Sequence, residues 1–211
     1  MTQAITLSAA SMSDLSYIDY LQRKNAEELS FYPMSVFERE IGNARIILAR
    51  LNDEPAGYLY HGSLSSSVLK IHQACIEYDL RGYLYGSALV NWLIDLARVS
   101  NCDEISLRCG SDIAANGFWQ AMGFHCISVT PGGARRMRDI NQWRYSLKES
   151  LFSIEVEASS RAQSSSAWTR ARKEGLSLKS QFMRGRDLRT YREEILLLDK
   201  SKTQHCEEDK Q

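Results

Sequence analysis

The run Ile76-Glu77-Tyr78-Asp79-Leu80-Arg81-Gly82-Tyr83-Leu84-Tyr85-Gly86-Ser87-Ala88-Leu89 decides the fold, because the period of the chain changes across it. Upstream, Val68 to Ile76 is β-branched and apolar and reads as a strand. Downstream, Ala88, Leu89, Trp92, Leu93 and Leu96 recur at helical spacing and predict a helix over Gly86–Val99. A strand that passes through a short loop into a helix presents the helix's first amides and the positive end of its dipole together, which suits an anion. Arg81 adds charge beside that junction, and Gly82 and Gly86 permit close approach of a ligand to the backbone.

Working outward, Ile5–Ser8 reads as a first strand, and Ser13-Asp14 as the cap of an amphipathic helix to about Asn25. Ser35–Ile41 predicts a second helix, stopped by Gly42. Arg45–Leu51 and Ala56–Leu64 read as a hairpin about the turn 52–55. Beyond the central helix come a strand Glu104–Arg108, a short helix Ile113–Met122 closed by Gly123, and strands Phe124–Thr130 and Gln142–Leu147. The expected order is mixed α/β: a hairpin, then strand-helix-strand-helix-strand. A domain over 1–149 is followed by a serine-rich linker at 150–166 and a basic helical extension at 167–200. That extension includes an amphipathic stripe of Leu188, Tyr191, Ile195 and Leu198, and 201–211 is expected to be a disordered tail.

Composition narrows the function. At 211 residues, 44% hydrophobic and 25% charged, the chain is long enough to bury a core. It holds no run near the roughly eighteen apolar residues of a membrane span, and Asp14, Asp19 and Glu27 interrupt any signal-peptide pattern. Neither membrane insertion nor secretion is expected. Five scattered cysteines without a C-x-x-C pair read as reduced thiols in a cytoplasmic protein, with no metal site. The zero net charge conceals a split: residues 1–130 hold 9 Lys+Arg against 14 Asp+Glu, and the rest hold 17 against 12. Such a basic second part suits an anionic partner.

Over roughly residues 4 to 147 the chain resembles the GCN5-related N-acetyltransferase (GNAT) superfamily. Arg81 and Gly86 match its loop pattern [QR]-x-x-G-x-[GA], and Asp112-Ile113-Ala114-Ala115-Asn116-Gly117-Phe118-Trp119-Gln120-Ala121-Met122-Gly123-Phe124 resembles its N-x-x-A-x-x-F-Y-x-x-x-G-F run. The resemblance implies an α/β (α+β) fold with a mixed, mostly antiparallel central sheet flanked by helices. It also implies transfer of an acetyl or other acyl group from acetyl-CoA to an amine, by direct attack in a ternary complex. It implies that Arg81, Gly82, Tyr83, Leu84, Tyr85, Gly86 and Ser87 hold the pyrophosphate, and that Ile76, Asp112 and Trp119 border the rest of the cofactor. Two departures stand out. Leu84 occupies the pattern's first glycine position, and Trp119 stands where the family commonly has a tyrosine that protonates the leaving thiolate.

An indole cannot supply that proton near neutral pH, so the acid is sought among Tyr78, Tyr83, Tyr85 and Ser111, of which Tyr85 and Ser111 are carried forward as catalytic candidates. For the base, Glu77 is preferred and His72 is the alternative. Strict alternation puts Gln73, Cys75 and Glu77 on one side and His72 on the other, so both candidates share a pocket only across a bulge. The resemblance places the acceptor by the loop between the last two strands, here read as Pro131–Arg144. Arg135, Arg136, Arg138 and Trp143 are its candidate contacts and suit an anionic or aromatic partner.

The acceptor stays open between a protein, a small molecule and a nucleic-acid base. Phage enzymes of the superfamily that modify a DNA base, of the Mom type, are similar in their degenerate cofactor loop and arginine-rich late segment. A third reading is a fold that has lost its chemistry and binds nucleic acid or protein.

Overall fold

A computed structural model describes residues 5–133, 137–148, 191–193 and 195–197. The strands are β1 (Ile5–Ala9), β2 (Ile46–Leu51), β3 (Glu54–His61), β4 (Val68–Ile76), β5 (Glu104–Gly110), β6 (His125–Pro131) and β7 (Asp139–Ser146). The helices are α1 (Leu15–Lys24), α2 (Met34–Gly42), α3 (Tyr85–Val99) and α4 (Ala115–Ala121). The seven strands form one sheet in the order β1-β2-β3-β4-β5-β7-β6, with every pairing antiparallel except β4 with β5. The mixed α/β order read from periodicity, and the mostly antiparallel sheet that the resemblance implies, are what the chain adopts.

Each face of the sheet has its own core. The central helix buries Ala88, Leu89, Trp92, Leu93 and Leu96 against Leu59, Leu69, Ile105 and Leu107. Each fully buried leucine there contributes about 2 kcal/mol. On the opposite face, α1 and α2 lay Leu15, Ile18, Leu21, Phe37 and Ile41 over Leu48, Tyr58, Tyr60 and Cys75. Residues 191–193 and 195–197 are helical, and Tyr191 and Ile195 join the α3 core. The Tyr191 ring meets Trp92 edge-on at 5.2 Å, and its hydroxyl donates to the Ala44 carbonyl. The expected amphipathic stripe is thus in place at those two positions. The linker at 150–166, most of the extension and the tail lie outside the described residues.

Two irregularities shape the centre. First, β4 and β5 pair only at Val68–Glu104, Leu69–Ile105 and Lys70–Ser106, although β4 runs on to Ile76 and β5 to Gly110. The two strands therefore part into a wedge. Second, β3 and β4 shift register between Tyr60–Gln73 and His61–Ile71, which leaves His72 as a bulge. The extra residue inverts the alternation. Leu69 and Ile71 face the α3 core before it, whereas after it Ala74 and Ile76 do so, and Gln73 and Cys75 turn toward α1 and α2. His72 itself lies on the α1–α2 side, stacked on Tyr60 at 4.6 Å, so the bulge that both base candidates require is present.

Boundaries differ from the sequence reading where local contacts outrank periodicity. The short helix α4 starts at Ala115 rather than Ile113, because Gly110 to Ala114 form turns whose carbonyls accept from Asn116 Nδ2. The final strand starts at Asp139 rather than Gln142, because Asn141 and Ile140 already pair with Cys109 and Gly110. Trp143 and Arg144 belong to that strand, not to the preceding loop.

Candidate active site

The wedge between β4 and β5 opens into a cavity on each side. One, of about 480 Å³, is lined by Ala74, Cys75 and Ile76 of β4, by Leu80 to Ser87 apart from Tyr83, and by Ala114, Ala115, Phe118 and Trp119 of α4. The other, of about 720 Å³, is lined by Ile71, His72 and Gln73 of β4, by Leu107 to Gly110 of β5, and by Pro131–Gly133, Arg138 and Ile140. Glu28, Leu29, Ala74, Ala115 and Trp119 border both. The two cavities therefore adjoin at the gap in the sheet.

The first cavity has the character of an anion cradle with an apolar throat. The amides of Tyr85, Gly86 and Ser87 form the first turn of α3 and have no acceptor within the helix. Leu84, just before them, takes the left-handed conformation (φ 70°, ψ 6°), and Gly82 also has positive φ. The backbone thus makes the turn for which the family pattern prescribes glycine, with leucine bearing a strain of about 1–2 kcal/mol. The leucine side chain is half-buried in the wall and leaves the cavity open. At Gly86, a Cβ would stand 3.3 Å from the Phe118 ring, so this glycine also lets α4 close on α3.

Around the cradle the ionisable groups are largely engaged. The Arg81 guanidinium turns back to the α1–α2 connection, donating to Asn25 Oδ1 at 2.7 Å and to Glu28 at 3.1 Å. Glu77 ion-pairs with Lys24 Nζ at 3.0 Å and borders neither cavity. Tyr85 is 3% exposed and lines the first cavity, and burial raises its pKa, so the phenol keeps its proton. Tyr78 and Tyr83 are exposed and line neither cavity. Burial pushes the Cys75 thiol up to about 12 and that of Cys109 to about 11, which removes both as thiolate nucleophiles.

On the other side, His72 lines the second cavity and is exposed to solvent, with its ring packed on Tyr60. Desolvation beside Tyr60 and Tyr32, and then the Lys70 charge, lower its pKa, so the ring is neutral at pH 7. Gln73, buried behind it, accepts from the Tyr58 hydroxyl at 2.8 Å and donates to Gln22 Oε1 at 3.0 Å and to the Ser30 carbonyl. Gln22 in turn holds Tyr32 through both its N–H and its C=O, at 2.7 and 2.9 Å. This network fixes the stretch Glu28–Phe31 over the wedge.

The sequence-derived candidates are partly brought together. Ile76, Arg81, Gly82, Leu84, Tyr85, Gly86, Ser87 and Trp119 converge on the first cavity, and Arg138 lines the second. Ser111 and Asp112 are exposed on the turn after β5 and line neither, with Asp112 Oδ1 3.5 Å from Arg138 Nε. Trp143 is buried on the α3 side of the sheet, where its indole N–H donates to Asn116 Oδ1 at 2.9 Å. In β7 it follows strand alternation, away from any acceptor. Arg135 and Arg136 lie outside the described residues. Three contributors escape a sequence reading: Gln73, Asn116 and Arg108. Asn116 ties the start of α4 to β5 and β7, and its position in the second motif was the available signal.

Comparison with known proteins agrees with this geometry. The family model described as acetyltransferase (GNAT) family matches residues 11–124, more than half of the chain. No curated protein matches. Among solved structures, Ard1 from Thermoplasma volcanium is similar with a TM-score of 0.63 and 16% identity, over 69% of this chain and 99% of that one. The NatC complex bound to Gag peptide and CoA gives 0.61 and 19%, over 69% and 99%. YncA from Salmonella typhimurium, with its cofactor acetyl-CoA, gives 0.59 and 17%, over 70% and 96%. At these identities the structures attest the fold, while the family match extends across the wedge, the cradle and α4: the chain belongs to the GNAT acetyltransferase family.

Proposed function

We propose that this chain is an acyl-CoA-dependent N-acyltransferase in which the two cavities receive the two substrates from opposite faces of the sheet. The observation that carries the reading is the wedge between β4 and β5, with an anion cradle on one side and a neutral imidazole on the other. The first-turn amides of α3 receive the diphosphate of acyl-CoA. Past Lys70, β4 has no paired strand on its gap side among the described residues, so its peptide groups can pair with the amides of an extended pantetheine arm. Phe118 and Trp119 close the throat against water.

A thioester is an activated acyl donor, so the acceptor amine attacks its carbonyl carbon directly. The C–N bond forms, the C–S bond breaks, and free CoA leaves as the thiol. His72 takes the proton from the amine, because it is neutral and borders the acceptor cavity, whereas Glu77 is held by Lys24 outside it. Tyr85 is the protonated group on the thiolate side and takes the role that Trp119 cannot fill. Free thiols at Cys75, Cys102, Cys109 and Cys126 fit a reducing, cytoplasmic setting. The Gag peptide in the NatC structure is one instance of an amine-bearing acceptor on this fold.

Calorimetric titration with acetyl-CoA tests the cradle, and absence of binding at millimolar concentration would sink the transferase reading. The proton roles are tested by kcat against pH. A base must be deprotonated to act, so kcat should hold below the ordinary imidazole value of about 6.5 and fall only under the lowered His72 pKa. His72→Gln should cost about a hundredfold in kcat and abolish that acid limb, and Glu77→Gln should cost far less. The reverse ranking returns the base to Glu77.

A further inference from the structure

We infer that the acceptor carries an anionic group, a carboxylate or phosphate, near its amine, and that Arg108 and Arg138 receive it. This inference rests on the transferase reading and specifies its second substrate. Among the described residues the acceptor cavity holds one lining carboxylate, Glu28, and that group is engaged by Arg81. Its two guanidiniums are not neutralised to the same degree. Arg108 projects from β5 on the face away from the α3 core, and among the described residues it has no ion pair and no hydrogen bond.

Arg138 is held in place but keeps donors in reserve. Its stem lies across Gly110, where a Cβ would stand 2.8 Å from Arg138 Cδ, so the absence of a side chain at Gly110 makes room for it. Nη1 donates to the Glu27 carbonyl at 3.0 Å, pinning the guanidinium across the cavity mouth to the α1–α2 connection. Nε is buried and has no hydrogen-bond partner, with Asp112, itself 57% exposed, 3.5 Å away. A withdrawn N–H without a partner is costly unless a ligand satisfies it, and a planar guanidinium matches the two oxygens of a carboxylate or phosphate.

Glu28 is engaged by Arg81, and Arg138 is ion-paired with Asp112, so among the described lining residues the positive charge left unpaired is that of Arg108. Its field favours an acceptor bearing an anion, disfavours one with a second cation, and eases loss of the ammonium proton before attack. The 720 Å³ volume is of the size that encloses a small amine rather than a duplex.

The test uses the full chain with acetyl-CoA, reading CoA release with a thiol reagent. Proteinogenic amino acids are compared each with its own amide, and O-phosphoethanolamine with ethanolamine, with rates referred to the neutral amine. The expected result is at least a tenfold higher kcat/KM for the anionic member of the preferred pair, and the carboxylate and phosphate arms decide between the two anions. Arg108→Gln should erase most of that preference and Arg108→Lys should retain part of it.

In parallel, N-acetyl amino acids and their amides are titrated into the CoA-loaded protein, which reads anion recognition without turnover, and the acids should bind more tightly. Equal or amide-favouring results in both assays overturn the inference and leave the transferase standing, as does an Arg108→Gln effect confined to the Kd of acetyl-CoA. Failure to bind acetyl-CoA at all overturns the earlier reading instead.

Discussion

Leu84 shows how much a single residue can depart from a family pattern without loss of the backbone it serves. The left-handed turn before α3 is kept, with a leucine in place of the residue that adopts it freely. Leu84→Gly removes both the strain and a side chain from the cavity wall. The expected outcome is a several-fold lower Kd for acetyl-CoA by calorimetry, with folding stability changed by no more than about 1 kcal/mol, because relief of strain offsets the entropy of glycine. An unchanged Kd would mean that the leucine never contacts the phosphates. At this scale Leu84 and Trp119 were visible in the sequence as departures. The placement of Arg81 against Glu28 was not, because a contact across 53 positions has no local signature.

Between elements, a close approach of two strands lies under the cradle. A Cβ at Gly57 would stand 2.4 Å from Ile76 Cδ1 and 2.5 Å from the Cys75 carbonyl, so β3 and β4 touch there only because the side chain is missing. Gly57→Ala should cost about 3 kcal/mol of stability, read as a lowered urea midpoint, and should weaken acetyl-CoA binding by displacing Ile76. The elements themselves were legible, since α3, β4 and the β2–β3 hairpin carry clear periods and turn residues. The bulge was not. Counting by twos cannot reveal an extra residue, and so the side on which His72 lies was open until Tyr60 was seen beneath it. Trp143 is counted among the loop's contacts although the strand read over Gln142–Leu147 already contains it, and in β7 it is buried on the α3 side.

For the molecule as a whole, acid sensitivity should originate in the α1–α2 half. Burial works to raise the pKa of Asp14 and of Glu40. It is outweighed at Asp14 by hydrogen bonds from Ser11 and Arg50, and at Glu40 by Arg39, Asn43 and Arg45. Both folded values therefore lie below the unfolded ones, near 4. Their contribution is complete above that and disappears as pH falls through the lowered values. Tm should stay level from neutrality to about pH 5 and drop below it. Glu40→Gln should cost about 3 kcal/mol at neutral pH and flatten the drop, and a drop that survives in that variant and in Asp14→Asn would locate the sensitivity elsewhere.

Tyr191 and Ile195 are buried in the α3 core, with the Tyr191 ring edge-on to Trp92. Burial of two such side chains amounts to about 4 kcal/mol, a millimolar grip if the pieces were separate. Replacing both with Ala should surrender that grip, leaving the Trp92 indole newly wet and its fluorescence shifted to the red, and an unshifted spectrum would mean that they do not cover it.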